Sequence, residues 1–128
     1  MKNILFVEDD DNTRLMYCLT KRYLPEGYSI YTVTTGEQAF RDIQDTTYDI
    51  IITDMNLGEG ISGKQLFLLI KEKHESNSDF EMPIFIFCSG TEELVKEAIK
   101  ETQGYRCSSL IKPFDLKELA DAILSFEG

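Results

Sequence analysis

The chain has 128 residues, the size of one domain, and 42% hydrophobic with 28% charged residues excludes a disordered tail, a collagen-like repeat or a fibrous heptad array. Thirteen Lys and Arg against 23 Asp and Glu give a net charge of −10, a field that repels phosphate backbones and anionic lipid, so direct nucleic-acid or membrane binding is not expected. No apolar stretch approaches the ~20 residues of a membrane span, and Ile4-Leu5-Phe6-Val7 is too short for a signal-peptide core, so the chain is read as cytoplasmic.

The first apolar run, Ile4 to Val7, ends in Glu8-Asp9-Asp10-Asp11. Asp10 or Asp11 is placed to cap a helix expected from about Asn12 to Leu24 and stopped by Pro25 and Gly27. Tyr28 to Val33 is a weaker strand candidate. Thr35 with Gln38 then opens a helix whose Ala39, Phe40 and Ile43 share a face. Ile50-Ile51-Ile52-Thr53 is a second strong strand and ends in Asp54. Ser62 with Gln65 opens a helix with Leu66, Leu69 and Ile70 on one face, before a polar connection, roughly His74 to Glu81, expected to be mobile. His74, the single histidine, is expected at a solvated helix end or in a loop.

Pro83-Ile84-Phe85-Ile86-Phe87-Cys88 is the third strong strand and closes on Ser89-Gly90. A more polar helix from about Glu92 to Thr102 ends near Gly104, and a weak strand, Ser109-Leu110-Ile111, leads to Lys112-Pro113. Asp115 with Glu118 opens a last helix with Leu116, Leu119, Ala120 and Ile123 on its apolar face. Runs that are apolar on both faces suit strands buried between two helix layers, and the alternation of strand and helix predicts an α/β fold, a doubly wound parallel sheet with right-handed crossovers. Cys18, Cys88 and Cys107 form an odd set without a CxxC pair, so reduced thiols packed as small hydrophobes are expected, not a disulfide framework or a zinc site.

In such a sheet the functional crevice lies outside the carboxyl ends of the strands, where strand order reverses. Those ends carry Glu8 and Asp9, Asp54, Ser89 and Lys112. Three converging carboxylates repel one another and need a cation among them. Magnesium suits, since it takes hard oxygen ligands and is held by one or two carboxylates plus a phosphate, while Lys112 adds a mobile positive charge and Ser89 a hydroxyl donor.

From Lys2 to the C-terminus the chain resembles the receiver domains of the bacterial two-component response regulators. The resemblance is carried by Ile4-Leu5-Phe6-Val7-Glu8-Asp9-Asp10, Gly36-Glu37-Gln38-Ala39-Phe40, Tyr48-Asp49-Ile50-Ile51-Ile52-Thr53-Asp54, Ser62-Gly63, Ser89-Gly90 and Lys112-Pro113-Phe114-Asp115-Leu116. It implies one receiver domain over residues 1–128 with a flavodoxin-like (βα)5 fold, strand order 2-1-3-4-5. It further implies that Asp54 is the phosphoacceptor and that Glu8 and Asp9 recruit Mg2+, with Asp54 and the backbone carbonyl of Asn56 as further ligands. Lys112 would pair with the phosphoryl group and Ser89 would be the switch hydroxyl. The implied donor is a histidine kinase or histidine phosphotransfer protein, and the implied output is protein contact through the fourth helix, fifth strand and fifth helix, by a monomer or a weak phosphorylation-dependent dimer. The downstream target has no signature in the sequence. Such a domain assists its own phosphorylation and dephosphorylation and is not a turnover enzyme.

The sequence departs from the pattern in places. The loop after Asp54 lacks the usual proline, carries Gly58 and reaches Gly63 one residue late. Counting from Pro83 puts Cys88 at the switch position, whereas the Ser-Gly dipeptide and the distance to Lys112 favour Ser89, the better donor to a phosphate oxygen. Ser109 stands where the family often has an aromatic residue, and Tyr105 lies too far back to replace it without a local shift. Two other classes share parts of this pattern. A hydrolase with an Asp nucleophile is disfavoured because Asn56 is not acidic; a phosphorylation-independent interaction module is the alternative that Ser109 supports. The chain ends soon after the last helix, so it is expected either to act alone or to be cut from a longer protein, in which Met1 would put the receiver first.

Overall fold

The computed structural model describes residues 2–55, 60–102 and 104–126. Strand and helix alternate: β1 (Lys2–Val7), α1 (Asp11–Cys18), β2 (Tyr28–Val33), α2 (Gly36–Asp45), β3 (Ile50–Asp54), α3 (Gly63–Ser76), β4 (Ile84–Ser89), α4 (Glu92–Glu101), β5 (Cys107–Ile111) and α5 (Leu116–Leu124). All four strand pairings are parallel and the order is β2-β1-β3-β4-β5, the flavodoxin-like order the sequence implied.

The three apolar runs become the central strands because each has two faces to bury. Leu5, Val7, Ile51, Phe85 and Phe87 point to one side and pack with Ala39 and Ile43 of α2 and Leu66, Phe67 and Ile70 of α3. Ile4, Phe6, Ile50, Ile52, Ile84, Ile86 and Cys88 point to the other and pack with Tyr17 of α1 and Leu119 and Ile123 of α5. Each strand thus sorts its odd and even residues between two helix layers. The helix starts are fixed locally: Asp10 accepts from Thr13 N at 2.8 Å, and Ser62–Gln65 and Asp115–Glu118 form reciprocal capping boxes.

Several elements differ from expectation. The first helix does not run to Leu24; it ends at Cys18 and tightens into a 3-10 turn over Leu19–Tyr23, where the Leu19 N–H reaches the Met16 carbonyl three residues back. Such tightening satisfies end carbonyls as the chain bends toward β2. Gln38 does not reach Thr35's own N–H: its Oε1 accepts from Thr34 N at 2.9 Å, while Thr35 Oγ1 still accepts from Gln38 N. On α3 the buried trio is Leu66, Phe67 and Ile70, with Leu69 36% exposed, since Phe67's ring is drawn against Phe85 and Phe87. The same helix runs on through His74 to Ser76, so the histidine lies at a helix end as expected, but only half-exposed, its ring nitrogen Nδ1 2.7 Å from the Phe80 carbonyl of the following turn. β5 starts at Cys107, two residues early, because β4 pairs with it from Phe85 onward.

Candidate functional site

β1 lies between β2 and β3, so strand order reverses at β1 and the crevice opens at its carboxyl end. Asp54 is the last residue of β3 and Lys112 follows β5 directly. The Lys112 ammonium donates to Asp54 Oδ2 at 2.5 Å, with the two side chains 33% and 16% exposed, a partly desolvated ion pair. The turn that carries the lysine is pinned by its own N–H, which donates to the Ser89 carbonyl at 2.7 Å, and continues into Pro113 through a cis peptide. Burial pulls the Lys112 ammonium down, but the hydrogen bond and charge of Asp54, with Glu8 and Cys88 behind, outweigh it and hold it above its ordinary value.

Glu8 follows β1 and is only 4% exposed. Burial lifts its carboxyl above the ordinary range; Lys112 opposes this and the charges of Asp54 and Asp9 add to it. Its Oε2 has no hydrogen-bond partner among the described residues. A buried carboxylate oxygen left without a donor is costly unless a cation or water meets it. Asp9, next in the chain, is exposed at the rim. Among the described residues no three His, Cys, Asp or Glu side chains form a ready-made cage, so the cation that already sits among these acids is Lys112. The donor set still fits magnesium: hard carboxylate oxygens, one of them orphaned, with room left for water and phosphate. Asn56, the other expected ligand, lies outside the described residues.

At the end of β4 the structure separates the two candidates for the switch position. Asp54 pairs in register with Cys88, and Ser89 pairs with Ile111. Register partners in a parallel sheet share a face, so Cys88 lies on Asp54's side and Ser89 is turned to the other, contrary to the preference for Ser89. There the Ser89 hydroxyl exchanges hydrogen bonds with the Thr91 backbone, 3.2 Å to both N and O. Burial, opposed by Lys112, pushes the Cys88 thiol up to about 12, so it stays protonated. Ser109 pairs with Phe87, whereas Tyr105 precedes β5 at the far end of the sheet, its hydroxyl donating to Glu75 at 3.2 Å and its ring edge-on to Phe67.

Gly63, marked in the sequence by its late spacing, and two residues that were not, Tyr17 and Arg14, shape the crevice. Gly63 opens α3 so close to β3 that a Cβ there would lie 2.2 Å from the Asp54 carbonyl oxygen. Tyr17 stacks between Phe6 at 5.0 Å and Phe114 at 6.3 Å, and burial, then the neighbouring Cys88, Glu8 and Asp54, raises its hydroxyl. Arg14 donates to the Glu8 carbonyl at 3.0 Å and pairs with Asp11. The one available signal was helical spacing, which puts Arg14 four residues after Asp10 and Tyr17 on the inner face of α1.

The sequence profile of the response regulator receiver domain matches residues 4–124. The transcriptional regulatory protein GlrR of Escherichia coli is 31% identical over 121 residues, which cover 94% of this chain and 25% of GlrR. The chain thus spans about a quarter of the length of the curated relatives it matches. Among solved structures, the response regulator TrrA of Thermotoga maritima, in complex with Mg2+ and BeF, superposes with a TM-score of 0.74 at 25% identity, covering 98% of each chain. The chemotaxis response regulator CheY4 of Vibrio cholerae shares the fold, with a TM-score of 0.78 at 22% identity, again over 98% of each chain. The chain belongs to the response regulator receiver domain family.

Proposed function

We propose that this protein is a phosphoacceptor switch: Asp54 takes a phosphoryl group from the phosphohistidine of a cytoplasmic kinase or phosphotransfer protein. The observation that carries this reading is the Lys112 ammonium held 2.5 Å from Asp54 Oδ2 near a Glu8 carboxylate oxygen unpartnered among the described residues, a positive and a negative arm around one strand-end carboxylate. An Asp54 oxygen forms the new O–P bond as the P–N bond to the donor histidine breaks, and that electron pair stays on the imidazole. Lys112 then moves from the carboxylate to the incoming oxygens, which carry more charge. Held by Glu8, Asp9, Asp54 and the Asn56 carbonyl, magnesium would supply positive charge against the same oxygens. The moved lysine pulls on β5 through its own turn, and α4, β5 and α5 form the surface a partner reads, a population shift driven by contacts that differ between the two states.

Incubation with a small phosphodonor and magnesium is expected to add one phosphoryl group to the wild type by intact mass. An Asp54→Asn protein that labels equally would refute the assignment. A second reading, an interaction module indifferent to phosphorylation, is favoured by Ser109, which leaves no aromatic ring on β5 to follow the site. Partner affinity that is identical with and without beryllofluoride would select it.

A further inference from the structure

We propose that Cys88 faces the phosphoryl oxygens on Asp54 and, as a weak S–H donor, holds the loop entering α4 only loosely to the phosphorylated site. The inference rests on Asp54 being the phosphoacceptor. Cys88 is the in-register neighbour of Asp54, and the Met55 N–H donates to the Cys88 carbonyl at 2.9 Å, which pins β3 and β4 at that level. Cys88 is 1% exposed and clusters with Ile52, Ile86, Tyr17 and Leu119, on the sheet face that Asp54 shares. The other mark of an anion and cation site here is independent of the cysteine: an oxygen of Glu8, a residue 4% exposed, that no donor among the described residues meets.

The β4 hydroxyl nearest in sequence is unavailable, because Ser89 faces the opposite layer and is engaged with the Thr91 backbone. An oxygen arriving on Asp54 therefore meets sulfur where a hydroxyl would have given a charge-assisted hydrogen bond. Cys88→Ser changes one atom, S to O, and supplies that donor. Without an anion the new hydroxyl lies among apolar side chains with only the Asp54 carboxylate, shared with Lys112, on its face; with one it gains further charged acceptors.

The test uses the full chain with magnesium and beryllofluoride, followed by 19F NMR titration, hydrogen exchange of the amides of residues 92–101, and melting. Cys88→Ser is expected to bind beryllofluoride about tenfold tighter than wild type, the worth of one charge-assisted hydrogen bond. It should also gain more protection in α4, and melt below wild type without beryllofluoride but closer to it with beryllofluoride. Ser89→Ala should bind within twofold of wild type. Cys88→Thr serves if the serine variant does not fold. Affinity of both Cys88 variants within twofold of wild type, or a tenfold loss in Ser89→Ala, overturns the inference. A wild type that takes up no beryllofluoride overturns the phosphoacceptor reading, and this inference with it.

Discussion

Lys112 is the residue on which the electrostatics of the crevice turn. It offsets Asp54 directly and lowers the cost of burying Glu8, so its loss leaves two acids facing each other in a partly dry site. Because the ammonium is a third exposed, water screens part of the deficit, and Lys112→Ala is expected to cost only about 1 kcal/mol in a denaturant melt. Phosphoryl uptake should fall far more, on the order of a hundredfold, since the lysine offsets charge on the transferring group. A variant that labels at the wild-type rate would show that the lysine is a structural counter-ion alone. The residue types at this site were readable from the sequence, since acid, acid and lysine end three separate strands. Which of Cys88 and Ser89 faces Asp54 was not: two adjacent residues differ only by which way the pleat turns them, and that is set by pairing with β3.

Among the elements, β1, β3 and β4 were legible because a run that is apolar on both faces has few other places to go, and α3 and α5 because their capping boxes are local chemistry. β5 was half hidden. Its residues are small or polar and only partly buried, and pairing with β4, not its own preference, makes Cys107 and Ser108 part of a strand. The break in α1 was hidden for the same reason, since nothing in Leu19–Tyr23 forbids an α-helix. A tight join between elements is where α3 begins against the end of β3. Gly63→Ala places a methyl group 2.2 Å from the Asp54 carbonyl oxygen, against backbone that cannot swing aside. About 1–3 kcal/mol of lost stability is expected, as for other overpacked sites, together with slower labelling of Asp54 as the strand end is pushed outward. Unchanged melting and labelling would mean that α3 can retreat freely.

At the scale of the whole molecule, a net charge of −10 is uneven: part of the acid surplus is gathered at one rim of the sheet, and the sequence showed both facts once the strands were aligned. A ligand that binds only the folded protein stabilises it by mass action, so magnesium at about a hundred times its Kd should add about 2.7 kcal/mol, a rise in Tm of roughly 10 °C for a domain this size. Sodium chloride at equal ionic strength should give much less, and Asp54→Asn and Glu8→Gln should each remove most of the magnesium effect. Equal shifts for both salts would point to general screening instead.

The sandwich of Phe6, Tyr17 and Phe114 gives this rim an unexpected mechanical companion. Packed rings transmit displacement because they have no slack, so the bend bearing Lys112 is bolted to the inner surface of α1, nearly the whole chain away in sequence. Pressure applied to α1 from outside would arrive beside the ammonium as a nudge through two stacked rings, Tyr17 and Phe114, without travelling along any strand.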